Sequence, residues 1–220
     1  MISSSAVRLT RRMVVALASL PWLGGRVFGA ANHGESIMTQ DQRPLGPLTP
    51  YIGVWTGEGV DTVPDGKGAP IRTPFIEHVT LEAVPLLTYG NQTVRALRYS
   101  CRDFATDDKS TPVYEENGYF IWVAETGTVV LQVSNPRGLS MLATGKPAAD
   151  GSFKVTSTGG SGRGVLVTDY LDTFINVVGY ETSVEPLDAN TFRYANDTLL
   201  KLPDGTIFHQ TDVATLKRQS

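Results

Sequence analysis

The sequence predicts an all-β protein, an antiparallel up-and-down barrel of about ten strands, and three observations carry that expectation. Beyond Pro50, short runs rich in β-branched and aromatic residues alternate with polar ones and are separated by Gly, Pro, Asn and Asp clusters. No long apolar period of helical spacing competes with them. Third, alternation along Gly53-Val54-Trp55-Thr56-Gly57-Glu58-Gly59 puts Trp55 on one face with Gly53, Gly57 and Gly59. Glycine weakens a strand, so three beside one indole indicate a strand that coils and passes its neighbours closely, with Trp55 plugging one end of a closed sheet.

The strands follow in order. After the Gly53 strand, Asp65-Gly66-Lys67-Gly68 reads as a turn. Residues 74–84 then form a strand with Phe75, Glu77, Val79 and Leu81 on one face and Ile76, His78 and Thr80 on the other. Residues 86–99 supply another, interrupted near Gly90-Asn91, and Asp107-Asp108-Lys109-Ser110 makes a polar connection. The chain returns over 115–124 with Tyr119, Phe120 and Trp122, and Glu125-Thr126-Gly127 is a hairpin signal into 129–133. Runs at 139–144, 153–157, 164–167, 173–180, 192–200 and 206–217 complete a meander in which consecutive strands pair as neighbours. Closure removes the exposed edges of so large a sheet and leaves room for a small ligand. It also sets the Gly53 strand beside the last one, so Lys217 or Arg218 is expected to lie across a buried Trp55.

Composition excludes some classes. With 41% hydrophobic and 19% charged residues the chain has the make-up of an ordinary globular protein. Its net charge is −3, and removal of residues 1–31, which hold four arginines and no acid, leaves −7, so a nucleic-acid partner is not expected. The single Cys101 allows no intrachain disulfide and reads as a buried, inert thiol.

The first 31 residues read as an address. Arg8, Arg11 and Arg12 precede the apolar run from Met13 to Leu20, and Gly29, Ala30 and Ala31 follow, the layout of a secretory signal peptide. The run is too short to span a membrane. Thr10-Arg11-Arg12 also hints at a twin-arginine signal. Residues 32–47 read as a linker and 48–220 as the barrel domain. Export to the periplasm is the expectation; a start at Met38 would leave the protein cytoplasmic.

Several motifs in order resemble the nitrobindin-like heme-binding β-barrels, a family with a calycin or fatty-acid-binding-protein-like fold. They are Gly53-x-Trp55-x-Gly57-x-Gly59, Phe75-x-Glu77 with Pro85-x-Leu87-x-Tyr89, Glu115-Glu116-Asn117-Gly118-Tyr119-Phe120, Asn135-Pro136-Arg137-Gly138 and Asp212 through Arg218. The resemblance implies a pocket for heme b held by one histidine, with nitric oxide binding and peroxynitrite isomerisation in some members. It also implies that the histidine precedes the terminal block as His-Leu-x-Ala-x-Leu. Setting Ala214 and Leu216 on that pattern puts Thr211 in the ligand's place, with His209 two residues earlier and about 7 Å away along a regular strand. A bulge near Asp204-Gly205 or between His209 and Thr211 would be needed to bring the imidazole to the iron. On that reading His209 is the metal ligand, Thr211 lines the same side, and Tyr119 and Trp122 cover the porphyrin.

Other candidates have plainer readings. His33 falls in the linker, His78 reads as solvated, and no histidine pair has metal-ligand spacing. Glu115 and Glu116 are adjacent and so face opposite ways, and Gly159-Gly160-Ser161-Gly162 lacks the strand-to-helix context of a serine hydrolase. Arg137, after a strand-ending proline, is placed to meet a propionate or a fatty-acid carboxylate at a barrel mouth, or else is a solvated turn residue. Three classes stay open: a heme protein acting on nitrogen oxides, a non-heme carrier of a lipophilic acid, and a filled structural barrel.

Overall fold

A computed structural model describes residues 45–65, 69–158, 164–173 and 176–220. The expected leader, most of the expected linker, the Gly66 to Gly68 turn and the Gly159 to Gly162 loop lie outside the described residues. The last of the expected linker is already in the body of the protein: Leu45 is buried, and Gly46–Tyr51 is a 3-10 helix whose Leu48 and Tyr51 face the core. Among the described residues no helix is long and apolar enough to cross a membrane.

The described residues form thirteen strands: β1 (Gly53–Pro64), β2 (Pro70–Ala83), β3 (Leu87–Tyr89), β4 (Gln92–Val94), β5 (Ala96–Ala105), β6 (Pro112–Val123), β7 (Thr128–Asn135), β8 (Leu139–Gly145), β9 (Phe153–Thr158), β10 (Val165–Val167), β11 (Asn176–Asp188), β12 (Thr191–Lys201) and β13 (Ile207–Arg218). The four-residue helix α1 (Asp169–Asp172), capped by the Thr168 hydroxyl, precedes β11. Ten strands form the ring, β1-β2-β5-β6-β7-β8-β9-β11-β12-β13 and back to β1, all antiparallel. The expected barrel is therefore present. Among the described residues its β8–β9 seam is paired at Thr144 and Thr156, with a bridge from Pro147 to Phe153, and β10 pairs with the first half of β8 instead.

Two segments differ from expectation. Residues 86–99 are not one strand: β3 and β4 make a separate exposed hairpin, with β5 starting at Ala96. Gly90 at φ +60° turns that hairpin, which is the physical reason for the break. Strand β11 runs on from Tyr180 to Asp188, because a register shift between Pro186 and Asp188 accommodates the proline at its end.

One end of the barrel is plugged. Trp55 is 1% exposed, packs edge-on against Phe192 at 4.8 Å and donates its indole N–H to the Tyr51 carbonyl at 2.8 Å. Tyr51 in turn meets Phe153 and Phe192 edge-on. Trp55 pairs with Arg218 across β1 and β13, and the Arg218 guanidinium lies 4.1 Å from the indole centroid. That guanidinium also donates to the carbonyls of Ile52, Pro50 and Ala189, tying the 3-10 helix and the β11–β12 turn to the last strand. The closing strands touch closely. A Cβ on Gly57 would sit 2.0 Å from the Thr215 carbonyl oxygen, so no other residue fits there without moving backbone.

Candidate ligand cavity

Alternation decides what the barrel encloses. On β1 the face of Trp55, Gly57 and Gly59 continues to Asp61; on β13 the face of Leu216 and Ala214 continues to Asp212 and Gln210. These inward faces, with those of β2, β5, β6 and β12, surround a cavity of about 1120 Å³. Toward the plugged end its lining is apolar, with Leu48, Val79, Leu97, Phe153, Phe192 and Leu216. Toward the other end it opens between Val63, Val113, Arg137, Asn176 and the Lys201 to Asp204 turn.

Between floor and mouth runs a belt of acids and tyrosines. Asp212, Asp61, Glu77, Asp103 and Glu116 line the cavity from five adjacent strands, β13, β1, β2, β5 and β6. Asp61 is directly opposite Asp212, and Glu77 directly opposite Asp103, so like groups face each other twice. Glu77 is 2% exposed. Its Oε1 accepts from the Cys101 thiol at 3.0 Å and its Oε2 has no hydrogen-bond partner, while the nearby Tyr194 hydroxyl acts to lower the carboxyl's pKa. Glu116 by contrast is satisfied, accepting from Tyr99 and Tyr114, each at 2.7 Å. Asp61 Oδ1 is buried without a partner.

Among the described residues the ion-paired cations are elsewhere. Arg98 pairs with Glu82, Arg102 with Glu115 at 3.0 Å and Lys154 with Glu181, all on the outer wall. Burial, with no cation alongside, raises the interior carboxyls: Glu77 to about 8, helped by Asp103, and Asp103 to about 7, helped by Glu116. Asp212 rises to about 8 through burial and the neighbouring carboxyl of Asp61, and Glu116 rises through burial against its two tyrosine donors. Burial raises the Cys101 thiol well above its usual value, so it is the inert buried group expected.

The residues singled out from sequence divide between the two faces. His209 is on the outer wall of β13, 61% exposed at its side chain, with Nδ1 2.7 Å from Asp197 Oδ2. Thr211 shares that outward parity, opposite Thr62 and Asp197. The register of β13 is unbroken with β12 from Ile207 to Lys217 and with β1 from Thr211 to Arg218, so the bulge that would turn His209 inward is absent among these pairs. Tyr119 is likewise outward, beside Arg98 and Gln132. Trp122 faces inward but packs at the plugged end beneath Gly46 and does not line the cavity. Arg137 lies at the mouth and is exposed. His78 is exposed and stacks edge-on with Phe104. Asp61, Asp103, Asp212, Tyr99, Tyr114 and Tyr194 were missed, although counting by twos from Trp55 and from Leu216 reaches Asp61, Asp212 and Gln210.

Comparison with known proteins agrees with this architecture. The sequence profile of the THAP4-like, heme-binding beta-barrel domain family matches residues 44–218. "Peroxynitrite isomerase 2" of Mycobacterium avium (strain 104) and "Peroxynitrite isomerase 1" of Mycolicibacterium paratuberculosis (strain ATCC BAA-968 / K-10) are each 32% identical over 120 residues. Those matches take in 53% of this chain and 64% of each relative, so the chain spans a little under two thirds of the curated relatives it matches. The crystal structure of Rv2717c from M. tuberculosis superposes with a TM-score of 0.56 at 20% identity, over 79% of this chain and 95% of that one, a likeness of fold.

Proposed function

We propose, for a chain that belongs to the THAP4-like, heme-binding beta-barrel domain family, that it binds one amphipathic small molecule inside the barrel. The observation that carries this reading is the segregated cavity of about 1120 Å³, apolar at the plugged end and polar below the mouth. An apolar body gains by leaving water for the floor, and a polar end meets the belt of acids and tyrosines.

Heme fits this cavity by size and by family, but the donor set does not fit a histidine-ligated heme. No histidine is among the cavity-lining residues described, and His209 is directed away from them. Besides the carboxyls, the lining donors that iron accepts include a thiol at Cys101, phenols at Tyr51, Tyr99, Tyr114, Tyr180 and Tyr194, and a thioether at Met141. Chemistry on nitrogen oxides through an imidazole-held iron is therefore no part of the proposal. Arg137 and Lys201 at the mouth favour the second reading, a carrier of a lipophilic acid. The uncompensated carboxyls below them weigh against a carboxylate any deeper.

Native mass spectrometry of the full chain, freshly purified from cells grown with heme available, tests the reading. One non-covalent ligand per chain is expected, its mass giving its identity. The proposal fails if the protein carries nothing and takes up neither hemin nor an aliphatic probe.

A further inference from the structure

The interior acids are expensive for the fold. Carboxyls face each other directly across β1–β13 and across β2–β5, and cross-strand pairs of like charge destabilise a sheet. Burying an acid without a cation or a full set of donors costs more still. Glu116 has its two tyrosines, but Glu77 Oε2 and Asp61 Oδ1 are left without hydrogen bonds, and Glu77 is almost wholly buried against the cavity. Among the described residues the cavity has no interior cation, since Arg137 and Lys201 stand at its mouth. A group that completes this belt has to bring positive charge and N–H donors from outside the chain.

We propose, resting on the binding role above, that the polar end of the bound molecule is an organic cation, an ammonium carried on an apolar body, seated on Glu77, Asp103, Asp61 and Asp212. An ammonium supplies three donors and a charge, which are what the unpartnered oxygens lack. Tyr99, Phe120, Tyr180 and Tyr194 line the same space, and a ring face turned to a desolvated cation attracts it further. The apolar floor takes the body of the molecule. A bare metal ion is the rival, because Glu77, Cys101 and Asp103 present donor atoms within 4.8 Å of one another. It would leave the Asp61–Asp212 pair uncompensated and the apolar floor unused, whereas an amphipathic amine engages both.

Calorimetric titration of the full chain near neutral pH with octylamine, octanoate and octanol, which share one tail, tests the proposal. Octylamine is expected to bind at least about tenfold tighter than octanol, as charge-assisted hydrogen bonds require, with octanoate the weakest. The Glu77→Gln/Asp103→Asn variant, its fold checked by cooperative thermal unfolding, is expected to lose most of the amine's advantage. The wild-type ranking decides even if that variant does not fold. Octanoate binding as tightly as octylamine, or an amine preference untouched in the folded variant, overturns the proposal. So does tight binding of zinc chloride, lost in Cys101→Ser, with no preference among the three probes. If octanol and octanoate bind and octylamine has no advantage, only the cation is lost; if no probe binds, the binding role fails with it.

Discussion

Glu77 shows how a single residue sets the chemistry of this interior. Its carboxyl rises from 4.5 to about 8, first through burial and then through Asp103 opposite. The folded barrel therefore keeps a proton that the unfolded chain has already lost, so this contribution to stability is full below about pH 4.5 and declines until about pH 8. Asp103 and Asp212 act in the same direction. The thermal midpoint of ligand-free protein is expected to be higher near pH 5 than near pH 8, and a midpoint that rises with pH would contradict the account. Glu77→Gln should remove part of that slope and stabilise the protein near pH 8 by on the order of 1–3 kcal/mol, read from denaturant unfolding. Arg218 is the counterpart at the plugged end. Arg218→Lys keeps the charge but not the planar fork that serves three carbonyls and covers Trp55, so a loss of about 1–3 kcal/mol is expected by the same measurement.

His209 shows how a motif and a strand period can point different ways. Ala214 and Leu216, on which the family pattern aligns, both face inward, and an odd step back from them reaches the outer wall. Parity alone points to Asp212 and Gln210. A motif alignment carries residue identity, whereas a strand's period carries direction, and here only the second agrees with the fold. Tyr119 fails for the same reason, one step out of phase with Phe120 and Glu116.

Strands β1 and β13 were the most legible elements, because their glycines and their terminal cation each have a physical task. The three glycines on the Trp55 face signalled close crossing, and Gly57 does abut the Thr215 carbonyl. Gly57→Ala is expected to destabilise by about 1–3 kcal/mol through forced separation of these strands, seen as a lower thermal midpoint and as faster amide exchange along β13. Unchanged stability would mean that the closure is looser than described. Other elements were harder to read. The β3–β4 hairpin is exposed throughout at β3, so its residues have no buried face to impose a period. The far half of β11 carries Glu181, Glu185 and Pro186, polar or turn-like in sequence, because one of its faces is solvated.

At the scale of the whole molecule, the sequence foretold a closed barrel but not the character of its interior. Barrel closure follows from strand count and local alternation. The acid belt depends on which strands become neighbours, since Asp61, Glu77, Asp103, Glu116 and Asp212 are far apart in the chain and meet only through the ring. We propose export of the protein on the basic and apolar stretch ahead of residue 32. N-terminal sequencing of protein from a native host is expected to start near Asn32; the intact Met1, or a start at Met38, would contradict it.

The central claim is that ligand binding belongs to the cavity and not to the outer wall that bears His209. Hemin and octylamine titrations of wild type, His209→Ala and Thr198→Trp, which places an indole in the half-buried lining of β12, test it most directly. The account predicts that whichever ligand wild type binds is bound equally by His209→Ala, with the same absorbance spectrum if it is hemin, and is weakened or lost in Thr198→Trp. Loss of binding or of the Soret band in His209→Ala, with Thr198→Trp unaffected, would contradict it.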